Sequence, residues 1–170
     1  MQTGEMAKSH GTANRTTQIK STLANLADED AKLREPLFKA ATAAARLALN
    51  PADHKLRDDA ARAWTKINSM MVKHLGKEEL SLLPWAESLG DYPHQMVDRA
   101  RKKHEQVMAL RAAIAARSFE KGSNEDIAAL ARNLCVFATT LDDLLVGEQR
   151  ELFPLMRRAL FRHASVPDAS

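Results

Sequence analysis

The chain has 170 residues, 45% of them apolar but only 5% aromatic, with six glycines and one cysteine. That length can bury one domain-sized core, and a chain rich in leucine and alanine with so few aromatics argues for helices and against a sheet. A formal charge of +3 is a mild excess, and the basic cluster Arg99, Arg101, Lys102 and Lys103 has no interleaved aromatics to stack bases, so nucleic acid is not expected as a partner.

Residues 1–18, including the polar start MQTGEMAKSHGTANR, read as a flexible tail too polar for a secretory signal. Residues 164–170 read as a second tail, which leaves 19–163 for the folded domain. The first helix is expected from about 28 to 49, ending at Asn50-Pro51. The second runs from about 53 to 89, closed by Leu89-Gly90-Asp91. The third starts after Pro93 and ends near 118. The fourth starts at Ser123 or Asn124, with Glu125 and Asp126 complementing its dipole, and continues past 160. Short connections imply antiparallel neighbours, so the expected fold is an all-α, up-down-up-down antiparallel four-helix bundle. No apolar run reaches membrane-helix length, and a lone Cys135 excludes an internal disulfide and fits a reducing compartment. A cytoplasmic protein without membrane contact is expected, and a homo-oligomer is compatible with these features.

The second and fourth helices share a phrase. HLGKEELSLLP over 74–84 and LLVGEQRELFP over 144–154 match at Leu75 and Leu145, Glu78 and Glu148, Leu82 and Leu152, and Pro84 and Pro154. His74 has Leu144 as its counterpart. On the second helix a three-four spacing selects Trp64, Ile67, Met71, His74, Glu78 and Trp85. On the fourth it selects Ile127, Leu130, Leu134, Phe137, Leu141, Leu144, Glu148 and Leu155. On the third, Val97, Ala100, His104 and Val107 share a face, with Met108 beside it. On the first, Leu33, Ala40, Ala44 and Leu47 do. His74, Glu78, His104 and Glu148 therefore fall on inward stripes, whereas Glu79, Gln149 and Glu151 lie at or beyond the stripe edges.

An isolated buried carboxylate costs several kcal/mol or takes up a proton. Two at equivalent depth need a shared partner, either a metal ion or the two histidines acting as hydrogen-bond donors in a structural core. The phrase H-x-x-x-E-E-x-x-L-L/F-P, a histidine in the middle of the third helix and a second E-x-x-x-L-F-P resemble the hemerythrin family, the HHE cation-binding domain. The resemblance implies a four-helix bundle with a non-heme di-iron centre that binds oxygen, its ligands being histidines from all four helices and two bridging carboxylates. By that resemblance His74, Glu78, His104 and Glu148 are metal ligands. Departures are plain: Leu144 replaces the fourth-helix histidine, Glu35-Pro36 stands where a first-helix histidine is expected, and Ala100 and Met108 flank His104 where a second histidine belongs.

Three readings stay open. In the first, the lost ligands leave an apolar place for heme b, held by His74 and His104, with Met71 and Met108 as sulfur ligands and Leu144 in the wall. In the second, His74, Glu78, His104 and Glu148 hold non-heme iron or another ion. In the third, the bundle carries no cofactor and serves as a regulatory module that binds a partner. Either iron form implies carriage or sensing of a diatomic gas (oxygen or nitric oxide) or of redox state. Turnover chemistry lacks a recognisable nucleophile or phosphate loop, so an enzyme is not expected. His10 and His163 fall in the tails, His54 and His94 near helix starts, and Cys135 beside the inward Leu134.

Overall fold

The structure, a computed structural model, describes residues 6–164, with side chains over 15–162 apart from those at 91 and 92. Among the described residues everything regular is helical, arranged as a bundle of four rods. The first rod is one helix, α1 (Met6–Leu49). It begins well before position 28 because its apolar stripe continues backward through Leu33, Leu26, Leu23 and Ile19, all buried, and tertiary packing of such a stripe outweighs a polar composition. Most of the segment read as a tail is thus helical from Met6. The C-terminal tail after Ala164 lies outside the described residues. Pro36 sits inside α1; its ring removes one backbone bond without ending the helix.

The second rod is α2 (His54–Lys77), a π-turn π1 (Glu78–Leu82) and α3 (Leu83–Glu87). The third is α4 (Asp91–Ala115). The fourth repeats the second: α5 (Asn124–Gly147), π2 (Glu148–Leu152) and α6 (Phe153–Ala164). Local chemistry sets the ends. Asp53 caps α2 by accepting from the Leu56 N–H, and Ser123 and Asp126 close a capping box on α5. Gly90, at φ 115°, supplies the left-handed turn into α4 that a side chain would strain. Buried Arg57 donates to the Pro51 carbonyl at 2.7 Å and to Asn124 Oδ1 at 2.9 Å, tying the first turn to the start of α5.

The repeated phrase now has a backbone meaning. Each π-turn begins on its glutamate, and the Leu83 and Phe153 N–H groups donate to the Glu78 and Glu148 carbonyls five residues back. Pro84 and Pro154 follow immediately. Proline has no N–H and crowds the carbonyl four residues before it, so the ordinary α-turn is blocked there and a widened turn takes its place.

α1 packs on α2 and α5, and α4 on α5. The core is not continuous. One apolar cluster includes Leu33, Met71, Leu75, Val107, Leu144 and Leu145. The other includes Leu26, Leu82, Ala100, Leu152 and Phe153. The break falls between Leu26 and Leu33, Leu75 and Leu82, Ala100 and Val107, and Leu145 and Leu152, which is the same two-turn interval on all four rods. A polar layer fills it. None of the described helices is long and apolar enough to cross a membrane.

Candidate metal centre

The layer consists of Asp30 from α1, His74 from α2, Glu78 from π1, His104 from α4 and Glu148 from π2. All five are at most 4% exposed. His74 Nε2 lies 3.1 Å from Asp30 Oδ1, 3.6 Å from Glu78 Oε1 and 3.9 Å from Glu148 Oε2. His104 Nε2 lies 3.1 Å from Glu78 Oε2 and 3.5 Å from Glu148 Oε1. Each glutamate therefore turns one oxygen toward each histidine. The groups form two triads, Asp30-His74-Glu148 and Glu78-His104-Glu148, whose ligand atoms lie within 4.8 Å of one another inside each triad.

These approaches are not hydrogen bonds. Asp30 Oδ1, both nitrogens of His74, both oxygens of Glu78 and of Glu148, and His104 Nε2 are buried without a hydrogen-bond partner. Buried polar atoms are nearly always paired, and an orphan costs about 1–3 kcal/mol. Eight on five neighbouring side chains, all near one layer of the core, fit a set of donors arranged for cations.

Outer groups hold the inner ones. Glu29 Oε2 lies 3.5 Å from His74 Nδ1, and the same carboxylate pairs with Lys77. Glu79 Oε1 lies 2.7 Å from His104 Nδ1, and Arg101 pairs with Glu79 and Glu87. On both sides the order is surface cation, carboxylate, imidazole. At His104 the carboxylate hydrogen-bonded to the rear nitrogen fixes ring orientation and leaves Nε2 for a metal, whereas Glu29 stands behind His74 without a hydrogen bond. Gln149 donates to Asp30 Oδ2 at 3.1 Å and accepts from Arg34 at 2.8 Å, so only Oδ1 of Asp30 points inward.

Electrostatics express the same crowding. Burial alone would lower both imidazolium groups. The Asp30 and Glu148 carboxylates, with the Glu78 charge, outweigh it at His74 and raise that group to about 10. Glu148 and Glu78 likewise raise His104 to about 10. Burial and the Glu148 charge push Glu78 up to about 7. Burial also pushes Glu148 up, but the attraction of the neighbouring His104 and His74 imidazoliums prevails and holds it below its ordinary value. Burial raises Asp30.

Of the residues singled out in the sequence, His74, Glu78, His104 and Glu148 meet in this layer. Asp30, Glu29, Glu79, Gln149 and Arg34 were not singled out as site residues. Asp30 interrupts the stripe Ile19, Leu23, Leu26, Leu33, Leu37 in register, the same signal that marks His74, but it precedes Leu33, where the stripe expected for the first helix begins. Glu35-Pro36 is not the α1 contribution: Glu35 is exposed and pairs with Lys39 at 2.5 Å.

The heme arrangement finds no support in this geometry. The Nε2 atoms of His74 and His104 face two shared carboxylates, which a porphyrin would have to displace from between buried helices. Met71 is fully buried in an apolar cluster, and Met108 is 39% exposed at the surface. Leu144 is buried and, with Ala100, lines a cavity of about 380 Å³ that reaches Glu148. His54 is exposed at the start of α2 and His94 lies 3.9 Å from Asp98 on α4. The side chains of His10 and His163 lie outside the described residues. Cys135 is half-buried, its thiol 3.9 Å from the Ala41 carbonyl.

Comparison with known proteins gives one match: the family model of the hemerythrin HHE cation-binding domain matches residues 21–156. No curated protein and no solved structure matches the chain.

Proposed function

Because this chain belongs to the hemerythrin HHE cation-binding domain family, we propose that it is a non-heme metal protein holding two ions in the polar layer, one on Asp30, His74 and Glu148, the other on Glu78, His104 and Glu148. The observation that carries this reading is the group of orphaned donor atoms on Asp30, His74, Glu78, His104 and Glu148. Glu148, the member common to both triads, would be shared between the two ions, with Glu78 facing both histidines from the opposite side.

Two imidazole nitrogens against three carboxylates form an oxygen-rich set that suits iron or manganese. The family favours iron, which would supply redox chemistry and affinity for a small ligand when bound. The chain's own residues bury the site and position its side chains. Glu79 orients His104, Gln149 orients Asp30, and the two apolar clusters flank the layer above and below, leaving the cavity beside Leu144 as an approach to Glu148. Binding or sensing of a diatomic gas, oxygen or nitric oxide, or of redox state is the physiological role proposed. Its support is the family and the cavity beside Leu144 and Glu148.

The test is elemental analysis and absorption of protein expressed with iron and heme supplied. Two metal ions per chain and no Soret band are expected. A metal-free, colourless preparation that takes up no iron or manganese on dialysis would sink the proposal.

A further inference from the structure

The basic cluster of α4 remains unexplained by the metal layer. Arg101 is committed to Glu79 and Glu87, but Arg99 and Lys103 line the 380 Å³ cavity between α4 and the fourth rod, together with Arg150 of π2. All three are exposed, and none forms an ion pair or side-chain hydrogen bond among the described residues. Asp143 and Glu151 also line the cavity, so its rim carries three cations and two carboxylates, and Glu148 on the inner wall brings the lining to three of each; any net positive charge there comes with metal in the layer. The inner wall is Glu148, the ligand shared by both triads. The side walls are Met96, Ala100, Leu144 and Leu152.

We propose that this cavity is a binding site for a small organic carboxylate beside the metal centre, an inference that rests on the metal reading above. Size, sign and polarity each bear on it. Small-ligand sites usually enclose roughly 300–1,000 Å³, and this cavity falls at the small end, larger than a diatomic gas needs. Two divalent ions against three ligating carboxylates leave the layer with a net positive charge, and the unpaired Arg99, Lys103 and Arg150 add to it, so an anion is favoured. Apolar walls favour a ligand with a short hydrocarbon body over a fully hydrated inorganic anion. The apolar Ala100 and Leu144, at positions where the family resemblance expects imidazole, make room for that body.

The experiment is calorimetric titration of butyrate into the full chain loaded with metal, with metal content measured on the same samples. Inorganic phosphate is the comparison, and R99Q/K103Q the variant. Both substituted side chains are exposed and outside the metal layer, so metal content should not change. Butyrate should bind the loaded protein more tightly than phosphate does, and the double variant should lose about tenfold in affinity, about 1.4 kcal/mol. A chain that keeps its metal but ignores butyrate, or a double variant that binds it undiminished, overturns the inference and leaves the metal reading standing. Phosphate binding as tightly as butyrate overturns the choice of an organic ligand. A chain that takes up no metal overturns both readings.

Discussion

Glu78 and Glu148 occupy the first position of two equivalent π-turns, and both face the same pair of histidines. Glu78 approaches His104 at 3.1 Å and His74 at 3.6 Å, and Glu148 approaches them at 3.5 Å and 3.9 Å. Only Glu148 belongs to both triads, whereas Asp30 belongs to one. Asp30→Asn is therefore expected to lower the metal content from two ions per chain to one. Glu148→Gln should abolish retention of both, with helical circular dichroism kept in either variant. Elemental analysis after gel filtration distinguishes these outcomes, and equal losses in the two variants would contradict the shared role of Glu148.

The metal-free protein should lose stability as pH rises. His74 and His104 are held at about 10 against an ordinary 6.5, so their contribution is full below 6.5 and disappears as pH climbs through about 10. Glu78, at about 7 against 4.5, acts in the same direction, its contribution being lost as pH rises from 4.5 through 7. Glu148 is held low and acts oppositely, on the acid side alone. Metal binding needs the deprotonated groups, so it should release about two protons per chain near neutrality and tighten with pH. Scanning calorimetry with and without chelator checks both halves. A metal-free melting temperature that climbs between about pH 7 and 10 would be inconsistent with this electrostatic account.

Pro84 and Pro154 should matter to the metal more than to the fold. Replacing either by alanine restores a backbone donor and removes the ring that blocks an α-turn. The π-turn is then free to tighten, which rotates Glu78 or Glu148 away from the histidines. Metal affinity should fall about tenfold or more in Pro84→Ala and in Pro154→Ala, while stability of the metal-free chain stays the same or improves. Unaltered affinity in both would show that the prolines do not aim the carboxylates.

Glu79 touches no metal in the proposed arrangement, yet it holds the rear of His104 at 2.7 Å. Loss of such an outer carboxylate typically weakens metal binding about 10–100-fold. Glu79→Gln, which keeps the shape and an acceptor, should fall at the mild end, and Glu79→Ala at the severe end. Competition with a chelator of known affinity measures the difference. A glutamine variant as weak as the alanine one would assign the effect to charge, whereas two unaffected variants would remove Glu79 from the site.

The bundle and four of the five side chains in its polar layer follow from local chemistry. Three-four periodicity, short connections and turn residues such as Asn50-Pro51 and Gly90 act within a few residues of where they stand, and a charged group on an apolar stripe is visible wherever the stripe is traced. That is why His74, Glu78, His104 and Glu148 are legible, and why Asp30 is not when the stripe of the first helix is taken to begin at Leu33 rather than at Ile19. The rest depends on distance between rods. That Glu148 meets both histidines, that Glu79 leaves its stripe edge to support His104, and that two carboxylates stand where a porphyrin would go are relations between side chains on different rods. Helical period places a residue on a face, but only packing fixes how far it lies from its counterpart across the core.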